Sequence, residues 1–134
     1  MIAREARKFA AYAIAGLAAT GTHYVVMVVI INQAKLPEVI ASCIGFLAGA
    51  CVKYPLNYWA VFASEQRHAV AIPRFVISLA IGFVLNAVIF AILLRVLDVH
   101  YMVSQVLTTG TVLFVNYLLA RYWIFLARDA KKAV

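Results

Sequence analysis

The sequence predicts an all-α membrane protein whose four transmembrane helices form two hairpins, related as parallel repeats, with both termini in the cytoplasm. Three observations lead there. Apolar residues make up 66% of the 134 and charged residues 13%, a balance that would force a soluble domain to expose large apolar patches. Four predominantly apolar segments, about 10–31, 38–62, 75–97 and 101–126, reach the roughly 20 residues needed to cross a bilayer. The basic residues are unevenly placed: Arg4, Arg7, Lys8, Arg67, Arg74, Arg121, Arg128, Lys131 and Lys132 fall on one side, and only Lys35 and Arg95 on the other. Lys and Arg in short loops mark the cytoplasmic side. The net charge of +7 is accounted for by this signal, and the chain carries no soluble module for reading nucleic acid.

The first span follows the basic segment Arg4 to Lys8, but its apolar stretch exceeds the roughly 7 to 15 residues of a signal-peptide core. It is therefore expected to remain as a helix of a single domain spanning 1–134. Gly16 and Thr20 mark one face of this span, and Ala15, Ala19 and His23 another. Along the second span Ala41, Gly45, Gly49, Lys53 and Asn57 recur every four residues, a spacing that stays near one helix face. Gly45 and Gly49 form the small-xxx-small pair that lets another backbone approach in lipid. Pro55 removes the backbone bond to Cys51 and is expected to kink the helix one turn from Lys53. Cys43 and Cys51 lie roughly 12 Å apart along this helix, too far to bridge, and read as buried thiols acting as small apolar residues. In the third span Ser78, Gly82 and Asn86 repeat the small-to-polar progression. It suits helix packing with Asn86 as interhelical glue as well as it suits ligand contact. The fourth span ends in Asn116-Tyr117-Leu118-Leu119-Ala120-Arg121-Tyr122-Trp123-Ile124-Phe125.

The halves, about 7–62 and 74–126, duplicate one another in outline. Lys8, Phe9, Gly16 and Thr20 align with Arg74, Phe75, Gly82 and Asn86 at an offset of 66, while Lys53, Tyr54 and Phe62 align with Asn116, Tyr117 and Phe125 at an offset of 63. Each half holds two spans and so starts and ends on one side. The repeats are then related by an axis along the membrane normal, an arrangement whose interface often houses a translocation path.

Lys53 lies about nine residues, roughly 13 Å, from the cytoplasmic end of its span. Holding a charge there costs up to about 2.5 to 3.5 kcal/mol on insertion scales, unless the side chain snorkels to the interface. His23 near mid-membrane, a candidate site residue, reads first as a satisfied packing group and second as a proton carrier. Glu5, Glu38, Glu65, Asp98 and Asp129, all the acids of the chain, lie outside or at the edge of the spans. That argues against a proton-coupled exporter of cations. No phosphate-binding G-x-x-x-x-G-K-[ST] loop, metal-ligand cluster or nucleophile and base pair is legible, so neither an enzyme nor a cofactor or metal is expected. The interior chemistry is cationic and amide, suited to an anionic, hydroxyl-rich ligand.

The paired hairpins, the Lys8-Phe9 and Arg74-Phe75 starts, Gly16 and Gly82, and the polar-aromatic-Phe endings resemble the GtrA-like family of small bacterial membrane proteins over about residues 7–126. The family signature is an Asn-Arg-x-Trp-x-Phe ending to each half. The second half keeps Arg121, Trp123 and Phe125 with Ala120 in place of the Asn; the first keeps Asn57 and Phe62 with Tyr58 for the Arg and Ala60 for the Trp.

The resemblance implies flipping of a polyprenyl-phosphate-linked monosaccharide from the cytoplasmic to the outer leaflet of the bacterial inner membrane, for cell-surface polysaccharide synthesis or glycosylation. On that implication Lys53, assisted by Arg121 or Arg74, receives the phosphate. Asn57, Asn86 and Asn116 bond phosphate or sugar oxygens, and Tyr54, Tyr117, Trp59 and Trp123 stack on the sugar. A membrane glycosyltransferase is the expected partner, and a homodimer would supply a further wall for the path. The alternative is a scaffold that recruits the transferase without moving lipid.

Overall fold

Helices form where the apolar runs predict them, and the first, third and fourth extend beyond their runs at one end or both. The computed structural model describes residues 2–61 and 68–132, with side chains across most of 2–56 and 72–116. Helix α1 is Ile2–Val29 and closes in a π-helical turn, Ile30–Ala34; α2 is Glu38–Val61, α3 His68–Arg95 and α4 Tyr101–Lys132. There is no strand among the described residues. The overrun at the start of α1 has a local cause: Ala3, Arg4, Glu5, Ala6, Arg7 and Lys8 are good helix formers, so the helix continues into a segment too polar for lipid. Pro55 and Pro73 both lie inside helices. Each removes one backbone donor, yet α2 runs on to Val61.

The turns that lead into α2 and α4 share one backbone pattern. Lys35 and Asp98 both have φ 52°, the left-handed conformation that ends a helix at the expense of side-chain crowding. Three residues on, Glu38 and Tyr101 open their helices. Ala41 N donates to the Pro37 carbonyl at 3.0 Å, and Ser104 N donates to the His100 carbonyl at 2.9 Å. All four pairs are related by the 63-residue offset read from the side chains.

Two compact units divide the chain, Met1–Ala87 and Val88–Val134. In the first, α1 and α2 run antiparallel and pack most closely at two glycines. A Cβ at Gly45 would stand 2.5 Å from the His23 carbonyl oxygen and 3.3 Å from Met27 N; one at Gly49 would stand 2.6 Å from the Ala19 carbonyl oxygen. Without side chains at these points the two backbones touch. On α1 the buried residues Ala15, Ala19, His23 and Met27 form the matching row. Helix α3 lies against α2, also antiparallel, through side chains: Asn86 to Ser42, Phe83 to Phe46 and Phe75 to Tyr54. Gly16, expected to pack like Gly45, faces open space, with nothing within 4 Å of its Cβ position among the described residues. Gly82 is buried.

In the second unit one face of α4 is buried along Ser104, Gln105, Thr108 and Val112. The hydroxyls bond backward to the backbone, Thr108 to the Ser104 carbonyl at 2.7 Å and Ser104 to the Val99 carbonyl at 3.1 Å, so they are satisfied without water.

The surface is apolar where the interior is polar. Leu17, Val25, Ile40, Val76, Val84 and Ile92 are exposed, whereas His23, Ser42, Asn86 and Gln105 are buried. Such a distribution suits lipid, since hydrocarbon solvates Leu and Val and cannot solvate an amide. Among the described residues Ala13–Ala34, Glu38–Leu56 and Phe75–Arg95 are long and apolar enough to cross a bilayer. The protein is a membrane protein. The thiols depart from expectation: Cys43 is half-buried and Cys51 exposed, because Cys51 falls off the glycine face that packs on α1.

Gly45→Ala should lower stability by about 1 to 3 kcal/mol, because the methyl meets backbone rather than a movable side chain. Gly16→Ala should be neutral or stabilise by up to about 1 kcal/mol, having open space and a better helix former. Thermal unfolding of the two variants in one detergent separates them, and equal losses would refute the packing assigned to Gly45.

Candidate functional site

The α2 face that begins with Ala41 opens as it runs toward Lys53. Ala41, Gly45 and Gly49 are buried, and Lys53 is half-buried. The next residue, Tyr54, is half-buried with its ring centroid 4.9 Å from that of Phe75, the planes tilted at 56°. Phe75 follows Arg74 in α3, so the backbone positions of Lys53 and Arg74 flank a single aromatic contact between two helices. The backbone positions of two basic residues thus share one level of the first unit.

A second polar level lies further along α2. Asn86 Nδ2 donates to Ser42 Oγ at 2.9 Å, both side chains being buried. Ser42 precedes Lys53 by eleven residues, roughly 16 Å along the helix. Asn86 is therefore the interhelical bond that its position in a small-residue row allows, and it stands apart from Lys53. His23 belongs to the same level, with its ring 5.9 Å from that of Phe46 in an edge contact; Phe46 meets Phe83 at 6.1 Å.

Asn116 is half-buried on α4. The side chains of Asn57, Trp59, Arg74, Tyr117, Arg121 and Trp123 lie outside the described residues. No group of His, Cys, Asp or Glu able to hold a metal occurs among the described residues.

Sequence reading passed over several residues that the fold makes important. Ser42 is one position from the glycine row and drew no notice, yet it is what Asn86 bonds. Ser104 and Thr108 carried a legible signal, polar residues four apart on one helix face, with Val112 continuing the row.

The sequence model of a family described as GtrA/DPMS, transmembrane domain, matches residues 11–125. No curated protein and no solved structure matches the chain.

Asn86→Leu should cost about 0.6 to 1.7 kcal/mol, the range for interhelical hydrogen bonds in membranes. A double-mutant cycle with Ser42→Ala should return most of that as coupling. Additive losses would remove the bond from the account.

Proposed function

The chain belongs to the GtrA/DPMS transmembrane-domain family, and from that membership we propose that it carries a polyprenyl-phosphate-linked monosaccharide from the cytoplasmic to the outer leaflet. The observation that carries this reading is Lys53: a half-buried cation in an otherwise apolar span, one residue from the Tyr54–Phe75 ring contact. A sugar phosphodiester presents one negative charge and several hydroxyls. Its ionised head cannot enter hydrocarbon without losing hydration worth many kcal/mol, while its polyprenyl tail never leaves lipid. The protein has only to receive the head.

In this reading α4 is the fourth span, both termini are cytoplasmic and the membrane is the bacterial inner membrane. Lys53 and Arg74 meet the phosphate as it enters, with Asn57 and the Tyr54 and Trp59 rings on the sugar. Arg121, Asn116, Tyr117 and Trp123 serve the corresponding end of the second half. A glycosyltransferase consumes the lipid outside, and a second copy of the chain completes the path wall. Neither a fuel nor a cofactor is required. Outward movement of one negative charge across an inside-negative membrane is favourable by roughly 2.3 kcal/mol per 100 mV, which is more than tenfold in equilibrium.

Purified protein in vesicles should speed the exchange of a short-chain polyprenyl-phosphate sugar between leaflets without ATP or a proton gradient. Lys53→Ala should slow it by about 10- to 100-fold at unchanged protein level, as expected for loss of a hydrogen bond to a charged group. Wild-type vesicles no faster than protein-free ones, with a transferase recovered at fixed ratio from native membranes, would replace this reading by a recruiting scaffold.

A further inference from the structure

At the middle of the stretch Ala13–Ala34 a polar atom is buried with nothing to bond. His23 is 6% exposed, and its Nε2 has no hydrogen bond among the described residues, although the ring lies against the Ser42 backbone. An unmet polar atom in this setting is destabilising, and an apolar residue of similar size would avoid that cost.

The surroundings are built for the imidazole. A Cβ on Gly45 would come within 2.7 Å of His23 Cδ2, so the glycine leaves the ring its place. Tyr24 and Phe46 meet it edge-on at 5.5 and 5.9 Å, and Phe46 reaches on to Phe83. Ser42 and Asn86, also buried, bring a hydroxyl and an amide to the same level from α2 and α3. Three helices thus contribute neutral polar groups to a place walled by aromatic rings.

We propose that His23, with Ser42 and Asn86 beside it, is a hydroxyl-binding station at mid-membrane, covered by the Phe46 ring. A hydroxyl both donates and accepts and so satisfies either tautomer of the imidazole, whereas a phosphate oxygen only accepts and a cation only donates. The occupant is the hydroxyl-rich head of the translocated lipid, so the station deepens the function proposed above and rests on it. Water has the same chemistry and is the competing source.

The test uses full-length protein labelled with 15N-histidine in nanodiscs. Of the three histidines, the His23 signal is the one absent from His23→Leu. Decyl glucoside, a probe with hydroxyls and no phosphate, should shift that signal, and decyl dimethylphosphine oxide, with no hydroxyl, should not. The shift should persist in Lys53→Ala. A signal already hydrogen-bonded before any probe and unmoved by decyl glucoside would mean water alone and overturn the proposal, as would no shift at all. In the vesicle assay His23→Leu should slow exchange about fivefold, the worth of one hydrogen bond, and His23→Gln should restore most of it. Equal losses in both variants would assign His23 to packing. Should wild-type vesicles move no lipid while decyl glucoside still shifts His23, the station stands and translocation falls.

Discussion

The contact between the α1 backbone and the bare face of α2 at Gly45 and Gly49 sets what the first unit can be. Lipid gives helices no hydrophobic reason to associate, so association depends on how closely their backbones approach. With the carbonyls of Ala19 and His23 lying where a side chain on α2 would go, the hairpin is locked in register. The rest follows from that register. His23 is carried into the interior, and Ser42, one residue round from the packed face, is left available to α3. A side chain at Gly45 or Gly49 would meet the α1 backbone, spread the hairpin and lose these relations together.

Helix α3 meets α2 differently, through an amide, a hydroxyl, three phenylalanines and a tyrosine rather than through glycine. Contacts made by side chains hold helices further apart and have several rotamers available, whereas backbone contact has one arrangement. The first unit therefore combines a tight seam with a looser one, and several of its polar residues lie along the looser seam. Tyr54 and Phe75 are at one end of it, and Ser42 and Asn86 further along. In the proposed translocation a polar head would part the α2–α3 seam, since at Gly45 and Gly49 the α1–α2 seam is closed by backbone contact.

Much of this was legible because a bilayer imposes few patterns. Run length gave the helices, and the turns before Glu38 and Tyr101 fix their starts where the apolar character resumes. The four-residue row of Ala41, Gly45 and Gly49 was visible because only small residues permit such contact. Gly16 looked equivalent and is not, since a glycine has meaning only if something lies opposite it, and that is a property of the partner helix. The same holds for Ser42: its bond to Asn86 spans 44 positions and no local pattern announces it. Helix and apolar run part where helix propensity outlasts hydropathy, as at Ile2–Phe9, which folds as helix although it is too charged for lipid. Around Lys53 the composition pointed to a site, and the Tyr54–Phe75 contact places its cation and its rings at one level; the pairing itself required the fold.

The two polar levels differ in charge, and the difference matters for a carrier. Lys53 is a cation eight residues from the C-terminal end of α2, whereas the His23, Ser42 and Asn86 level is built from neutral groups. A path must bind its cargo well enough to admit it and weakly enough to release it. A fixed cation at the bilayer centre would attract a phosphate strongly, because charge interactions there are little screened, and would hold it where it must not stop. In the proposed translocation, a cation toward the cytoplasmic side and neutral hydrogen-bonding groups further along would divide the work: charge would draw in the head, and neutral contacts would guide it onward. The membrane potential would then act on a head that no charge at the His23 level retains.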